Sequence, residues 1–87
     1  MAAAAGRMSA EDRARFQVRL VQVVYRGEAR RLHARRLRRS ARETTLNDLR
    51  RRCLELLDLV RSSLDHSQGW HADVLALVAD VEREIRE

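Results

Sequence analysis

Residues 70–86 read Trp70-His71-Ala72-Asp73-Val74-Leu75-Ala76-Leu77-Val78-Ala79-Asp80-Val81-Glu82-Arg83-Glu84-Ile85-Arg86. Their spacing decides the fold. Trp70, Val74, Leu77, Val78, Val81 and Ile85 fall at i, i+4, i+7, i+8, i+11 and i+15, which is one face of an α-helix. Asp73, Asp80, Glu84 and Glu87 make an acidic stripe on the same helix. This is the cleanest amphipathic signal in the chain, and it predicts a helix over 70–86.

Moving toward the N-terminus, Asp65-His66-Ser67-Gln68-Gly69 reads as a turn. Before it, Leu46, Leu49, Cys53, Leu56, Val60 and Ser63 are spaced 3-4-3-4-3, a heptad seam widened by Leu57 and Leu64. This predicts a second helix over about 46–66, paired with the third as an antiparallel hairpin through Gly69. Apolar residues outside the seam, at Leu54, Leu57 and Leu59, exceed what one hairpin covers. A boundary is expected near Thr44 and Thr45, because hydroxyl and β-branched side chains disfavour helix interiors. Ser40 with Glu43 fits a capping box there.

The first helix is expected to run over about 10–42, starting from Ser9 as N-cap with Asp12 at the third helical position. Unbroken, 10–40 would be about 45 Å long at 1.5 Å per residue. It therefore either kinks near Gly27 or projects as a basic arm. Phe16, Leu20, Val23, Val24 and Gly27 share one face; Ala14, Val18, Val21 and Tyr25 form a second beside it. Only Arg15, Arg19, Gln22 and Arg26 make a polar strip. A helix apolar over most of its circumference is expected to be buried from two sides. Residues 1–8 read as a flexible leader before a single all-helical interaction domain over 9–87.

Composition narrows the class. The 87 residues include no proline, three glycines, one cysteine, and only Phe16, Tyr25 and Trp70 as aromatics. An all-β fold needs more turn residues than this. One cysteine builds neither a disulfide framework nor a zinc finger, and a lone thiol fits a reducing compartment. No apolar run reaches the roughly 18 residues of a membrane span. At 45% hydrophobic the chain is too apolar to be wholly disordered. With so few aromatics, Leu, Val and Ala must fill the core, which suits coiled-coil-like packing or a core completed by a partner.

Charge is strongly segregated. All eighteen basic residues are arginine and the net charge is +5. Residues 26–52 hold eleven arginines and three acids, whereas residues 53–87 hold three arginines and eight acids. Guanidinium forks suit phosphate, so the block containing Arg30, Arg31, Arg35, Arg38, Arg39 and Arg42 is a candidate contact for DNA or RNA. It lacks interleaved aromatics for base stacking. The other readings are an acidic protein partner, the chain's own acidic stripe, a nuclear-import signal, or a solvated face.

Catalytic chemistry has no constellation to rest on. His66 and His71 flank a turn and read as helix-end partners; a metal site needs three or four convergent ligands. Cys53 lies on the seam and reads as a small core hydrophobe. Trp70 reads as the anchor of a turn. Ser40 follows Arg38-Arg39, the kind of context in which a phosphate at a helix N-terminus is favoured. No metal, cofactor or enzymatic activity is expected.

Val24-Tyr25-Arg26 is similar to the Leu-Tyr-Arg tripeptide of the mitochondrial LYR-motif adaptors, small basic helical proteins. The resemblance implies binding of acyl carrier protein and assistance in iron–sulfur or respiratory-complex assembly. It spans three residues, with Val in place of Leu. The family's downstream Phe has no counterpart, since Phe16 precedes the tripeptide.

The expectation is thus an all-α protein: a three-helix bundle, or a helical hairpin plus a long N-terminal helix with an Arg-rich end. Its expected role is that of a non-enzymatic subunit of an intracellular, nuclear, multiprotein complex, acting as scaffold or adaptor toward helical protein partners. Phe16, Leu20, Val23, Val24 and Tyr25 are the candidate partner contact. The alternatives are a DNA- or RNA-binding accessory subunit, a mitochondrial-matrix adaptor, a cytoplasmic location, and a homo-oligomer. No membrane association is expected.

Overall fold

The computed structural model describes residues 8–87, so the expected leader lies, Met8 apart, outside the described residues. The fold is all-helical: α1 Ala10–Ala34, α2 Arg39–Ser62 and α3 Gly69–Arg86, each packed against the other two. Helix makes up 84% and, among the described residues, there is no strand.

The start of α1 follows its local chemistry. The Ser9 hydroxyl accepts from the Asp12 amide at 3.1 Å, and Glu11 and Asp12 stand in the positive first turn. The helix then runs uninterrupted through Gly27, where a Cβ would meet nothing within 4 Å. α1 has no break at Gly27, and it ends at Ala34 rather than reaching residue 42.

The chain turns instead at Arg35–Arg38. Arg35 and Arg38 are extended (ψ 146° and 147°), and the Arg42 guanidinium donates to the Arg35 carbonyl at 3.1 Å across the bend. The turn expected at Thr44 and Thr45 is absent, and α2 begins at Arg39 rather than near 46. Both threonine hydroxyls donate back along the helix, to the Ser40 and Ala41 carbonyls at 3.0 and 2.9 Å. This local bonding lets them sit within a helix. The Ser40–Glu43 capping box does not form: Arg38 is the N-cap and offers no side-chain cap. The closest hairpin is therefore α1–α2, across four residues. Gly69 is simply the first residue of α3, without positive φ.

The core is a small continuous cluster. Ala14, Val18, Val21 and Tyr25 come from α1, Cys53, Leu57 and Val60 from α2, and Val74, Val78, Val81 and Ile85 from α3. Cys53 and Val60 of the expected seam are buried, but between them Leu57 takes the place expected for Leu56: Leu56 is half exposed and Leu57 fully enclosed. Trp70 packs on the cluster's edge, with its ring perpendicular to that of His71, as an anchor for the second turn.

Two polar locks tie the helices. Arg26 grips Glu84 with two hydrogen bonds, at 2.6 and 2.7 Å, and Gln22 donates to the same carboxylate at 3.0 Å. Part of the polar strip of α1 is thus an α1–α3 contact. Arg61 of α2 pairs with the buried Glu82 of α3 and with Asp58.

The molecule measures 46 × 32 × 15 Å with a radius of gyration of 15.5 Å. A compact chain of this length would have a radius of about 12 Å. Three helices arranged this openly leave a broad face uncovered.

Candidate functional site

That face is built by α1 and α2. On α1 the buried positions Ala14, Val18, Val21 and Tyr25 take one side of the helix. At 100° per residue, Phe16, Leu20, Val23 and Val24 fall on the other. α2 adds Leu56 and Leu59. All six are between 47% and 68% exposed. The first helix is therefore buried from one side only, because three helices of this length cannot enclose a second apolar face. Where α1 and α2 diverge, a groove of about 710 Å³ opens, lined by Leu20, Val21, Leu56, Leu59, Val60 and Trp70 among others.

Four of the five expected contact residues lie together on this face. Tyr25 does not. Its ring is buried in the core and its hydroxyl donates to the Ile85 carbonyl at 3.5 Å. Leu59, expected as surplus beyond the hairpin, is exposed; Leu56, expected on the seam, is exposed too, while Leu57, expected as surplus, is buried.

The arginines form a second feature. Residues 30–42 contain seven arginines and no acid, and they straddle the α1–α2 bend as a basic tip. α3 runs alongside α1 in the same direction, Trp70 near its first turns and Ile85 against Tyr25, so the tip extends past the end of α3. The acidic stripe of α3 therefore meets the arginine block only at Arg26–Glu84. Within the tip, Arg31 pairs with Glu28 and Arg39 with Glu43. Arg42 holds the bend. No carboxylate lies within 4 Å of Arg30, Arg35 or Arg38 among the described residues.

The titratable groups serve structure. The Arg26 hydrogen bonds, aided by Gln22, hold the Glu84 carboxyl below the usual glutamate range. Burial pushes the Cys53 thiol up, which disfavours the nucleophilic thiolate. His71 Nδ1 lies 3.0 Å from the Asp65 carboxylate, and hydrogen bonds from Ser67, then His71, hold Asp65 below its ordinary value. This closes the α2–α3 connection. Among the described residues no three His, Cys, Asp or Glu side chains converge as a metal site. Nor, among the described residues, is any helix long and apolar enough to cross a membrane.

The Val24-Tyr25-Arg26 tripeptide divides three ways: Val24 is exposed, Tyr25 is core, and Arg26 is the partner of Glu84. Comparison with protein-family models, with curated proteins and with solved structures found no match for this chain.

Proposed function

We propose that the protein is a non-enzymatic adaptor subunit whose open α1–α2 face docks a helical protein. The observation that carries this reading is the run of exposed apolar residues Phe16, Leu20, Val23 and Val24 on α1, beside a groove in which Leu20 is joined by the exposed Leu56 and Leu59 of α2. Exposed apolar patches of this extent mark interaction surfaces. The arginine tip would steer an acidic partner into place, acting more on association rate and orientation than on affinity. An Arg-rich segment also serves as a nuclear-import signal, which makes the nucleus the compartment we favour.

The test is affinity capture of the tagged chain beside its Leu56→Asp variant, each with and without nuclease. Leu56 is exposed, so the variant should fold. Protein partners that survive nuclease and high salt, and are lost with Leu56→Asp, support the adaptor. Identical partners on both chains would refute it.

A second reading rests on the tip alone. Seven arginines without an acid, several unpaired, suit a phosphate backbone. Binding to duplex DNA or RNA would then fall steeply with salt and show little sequence preference. Replacing Arg35, Arg36 and Arg38 by Glu should abolish it.

A further inference from the structure

Two copies of this chain fit one another. Phe16, Leu20, Val23 and Gly27 follow a 4-3-4 spacing down the exposed side of α1, the repeat of a coiled-coil seam. The pattern is self-complementary when reversed. With a second α1 laid antiparallel and centred between Leu20 and Val23, Leu20 meets Val23 of the other copy. Phe16 then lies over Gly27 of the other copy. Phe16 is the largest side chain on the face, and Gly27 leaves open space where a Cβ would stand. A large residue facing a small one is how packed helix layers interdigitate.

Charge selects this direction over its alternative. Two α1–α2 hairpins placed face to face about an axis along the helices would bring both seven-arginine tips to one end. The antiparallel pairing sends the tips to opposite ends. It also brings Asp12 beside Arg30 of the other copy, on the same flank of the seam. Neither residue has an ion-pair partner in its own chain among the described residues. Arg13 approaches the same end, where Glu28, already paired with Arg31, offsets the added positive charge.

Area agrees. The exposed parts of the six apolar side chains amount to roughly 600 Å² per copy, the upper end of what a monomer leaves open. A standard interface takes about 800 Å² per partner, which flanking residues would complete.

We infer that the α1–α2 hairpin forms half of an antiparallel, two-fold symmetric four-helix dimer, with Phe16 of each copy seated over Gly27 of the other. This deepens the docking reading above, since it rests on the same face and names a second copy as its occupant.

Light scattering on the purified full chain, from 5 to 500 µM, on the order of common dimer affinities, tests it. The expected mass is twice 10.1 kDa, reverting to 10.1 kDa for Val23→Glu with unchanged helical circular dichroism. Mixing Phe16→Cys with Gly27→Cys chains under mild oxidation should give the mixed disulfide, with neither chain crosslinking alone. The native Cys53 is buried and should not compete. A mass of 10.1 kDa throughout overturns the dimer, and leaves the adaptor reading standing if Leu56→Asp still loses its partners. Disulfides between identical positions overturn the antiparallel register. A dimer that captures no nuclease-resistant partner upholds the pairing and ends the adaptor reading.

Discussion

The two sides of α1 are nearly equal in apolar character and opposite in fate. Ala14, Val18, Val21 and Tyr25 are shut into the core, while Phe16, Leu20, Val23 and Val24 meet solvent. The more hydrophobic aromatic, Phe16, is outside and the hydroxyl-bearing Tyr25 inside. Tyr25 gains a backbone acceptor at Ile85, which makes its burial tolerable. Hydrophobicity therefore ranked neither side. Position relative to α2 and α3 did. The lesson is that apolar surplus on a short helical chain stays on the surface when the chain's own helices are already used.

The sharpest way to break this contrast is to cut into the inner side. Leu57 is fully enclosed against α1 and α3, so Leu57→Ala should cost about 3 kcal/mol, within the usual range for buried leucine truncation. In a chain with so small a core this should lower the thermal midpoint by more than ten degrees, read by circular dichroism. A change below about 1 kcal/mol would show that the core is loosely packed.

Gly27 sharpens the comparison with the opposite sign. It lies mid-helix on the outer side with open space around it, so Gly27→Ala should stabilise the isolated fold by about 0.5–1 kcal/mol. The same measurement made well below the association range separates this effect from any loss of pairing.

The Arg26–Glu84 lock lies at the edge between the two sides and predicts an acid dependence. Because the Glu84 carboxyl is lowered in the fold, its contribution is fully present above the ordinary glutamate pKa of about 4.3. It is lost as pH falls through the lower folded value. Urea midpoints should therefore fall between about pH 5 and pH 3, and Glu84→Gln should flatten part of that slope. The pair is partly exposed, so the effect is smaller than that of core truncation.

Least affected is the outer side itself. Val23→Ser should change the stability of the dissociated chain by less than about 0.5 kcal/mol. A larger loss would mean that Val23 is held by contacts within one copy.

Much of the fold was legible in the chain. The 70–86 periodicity marks α3 nearly to the residue, and Ser9 with Asp12 marks the start of α1. The bend was not legible, for a physical reason. It contains neither glycine nor proline, and arginine is a good helix former. What accompanies the bend is tertiary: Leu32 and Leu49 line one cleft across the hairpin, and Cys53, Leu57 and Val60 join the core with α1. Thr44 and Thr45, read as breakers, were satisfied by carbonyls one turn back. Of the candidate site, Phe16, Leu20, Val23 and Val24 could be read from the helical wheel. The leucines of α2 could not be sorted, because Leu56 and Leu57 are neighbours of equal hydrophobicity and only the twist of the packed pair decides which one is covered.

The bend at Arg35–Arg38 has a consequence for how the chain is handled outside its fold. Three of its four residues are arginine, all three are exposed, and its ends are extended backbone. A protease that cleaves after arginine finds there three exposed arginines outside any helix. One cut would separate α1 from α2–α3 without removing a core residue, leaving two helical pieces joined by Val18, Val21 and Tyr25 packing on their partners. The protein is in effect a two-part lock with a cleavable connecting strap, and α1 mixed with the α2–α3 piece should reassemble without it.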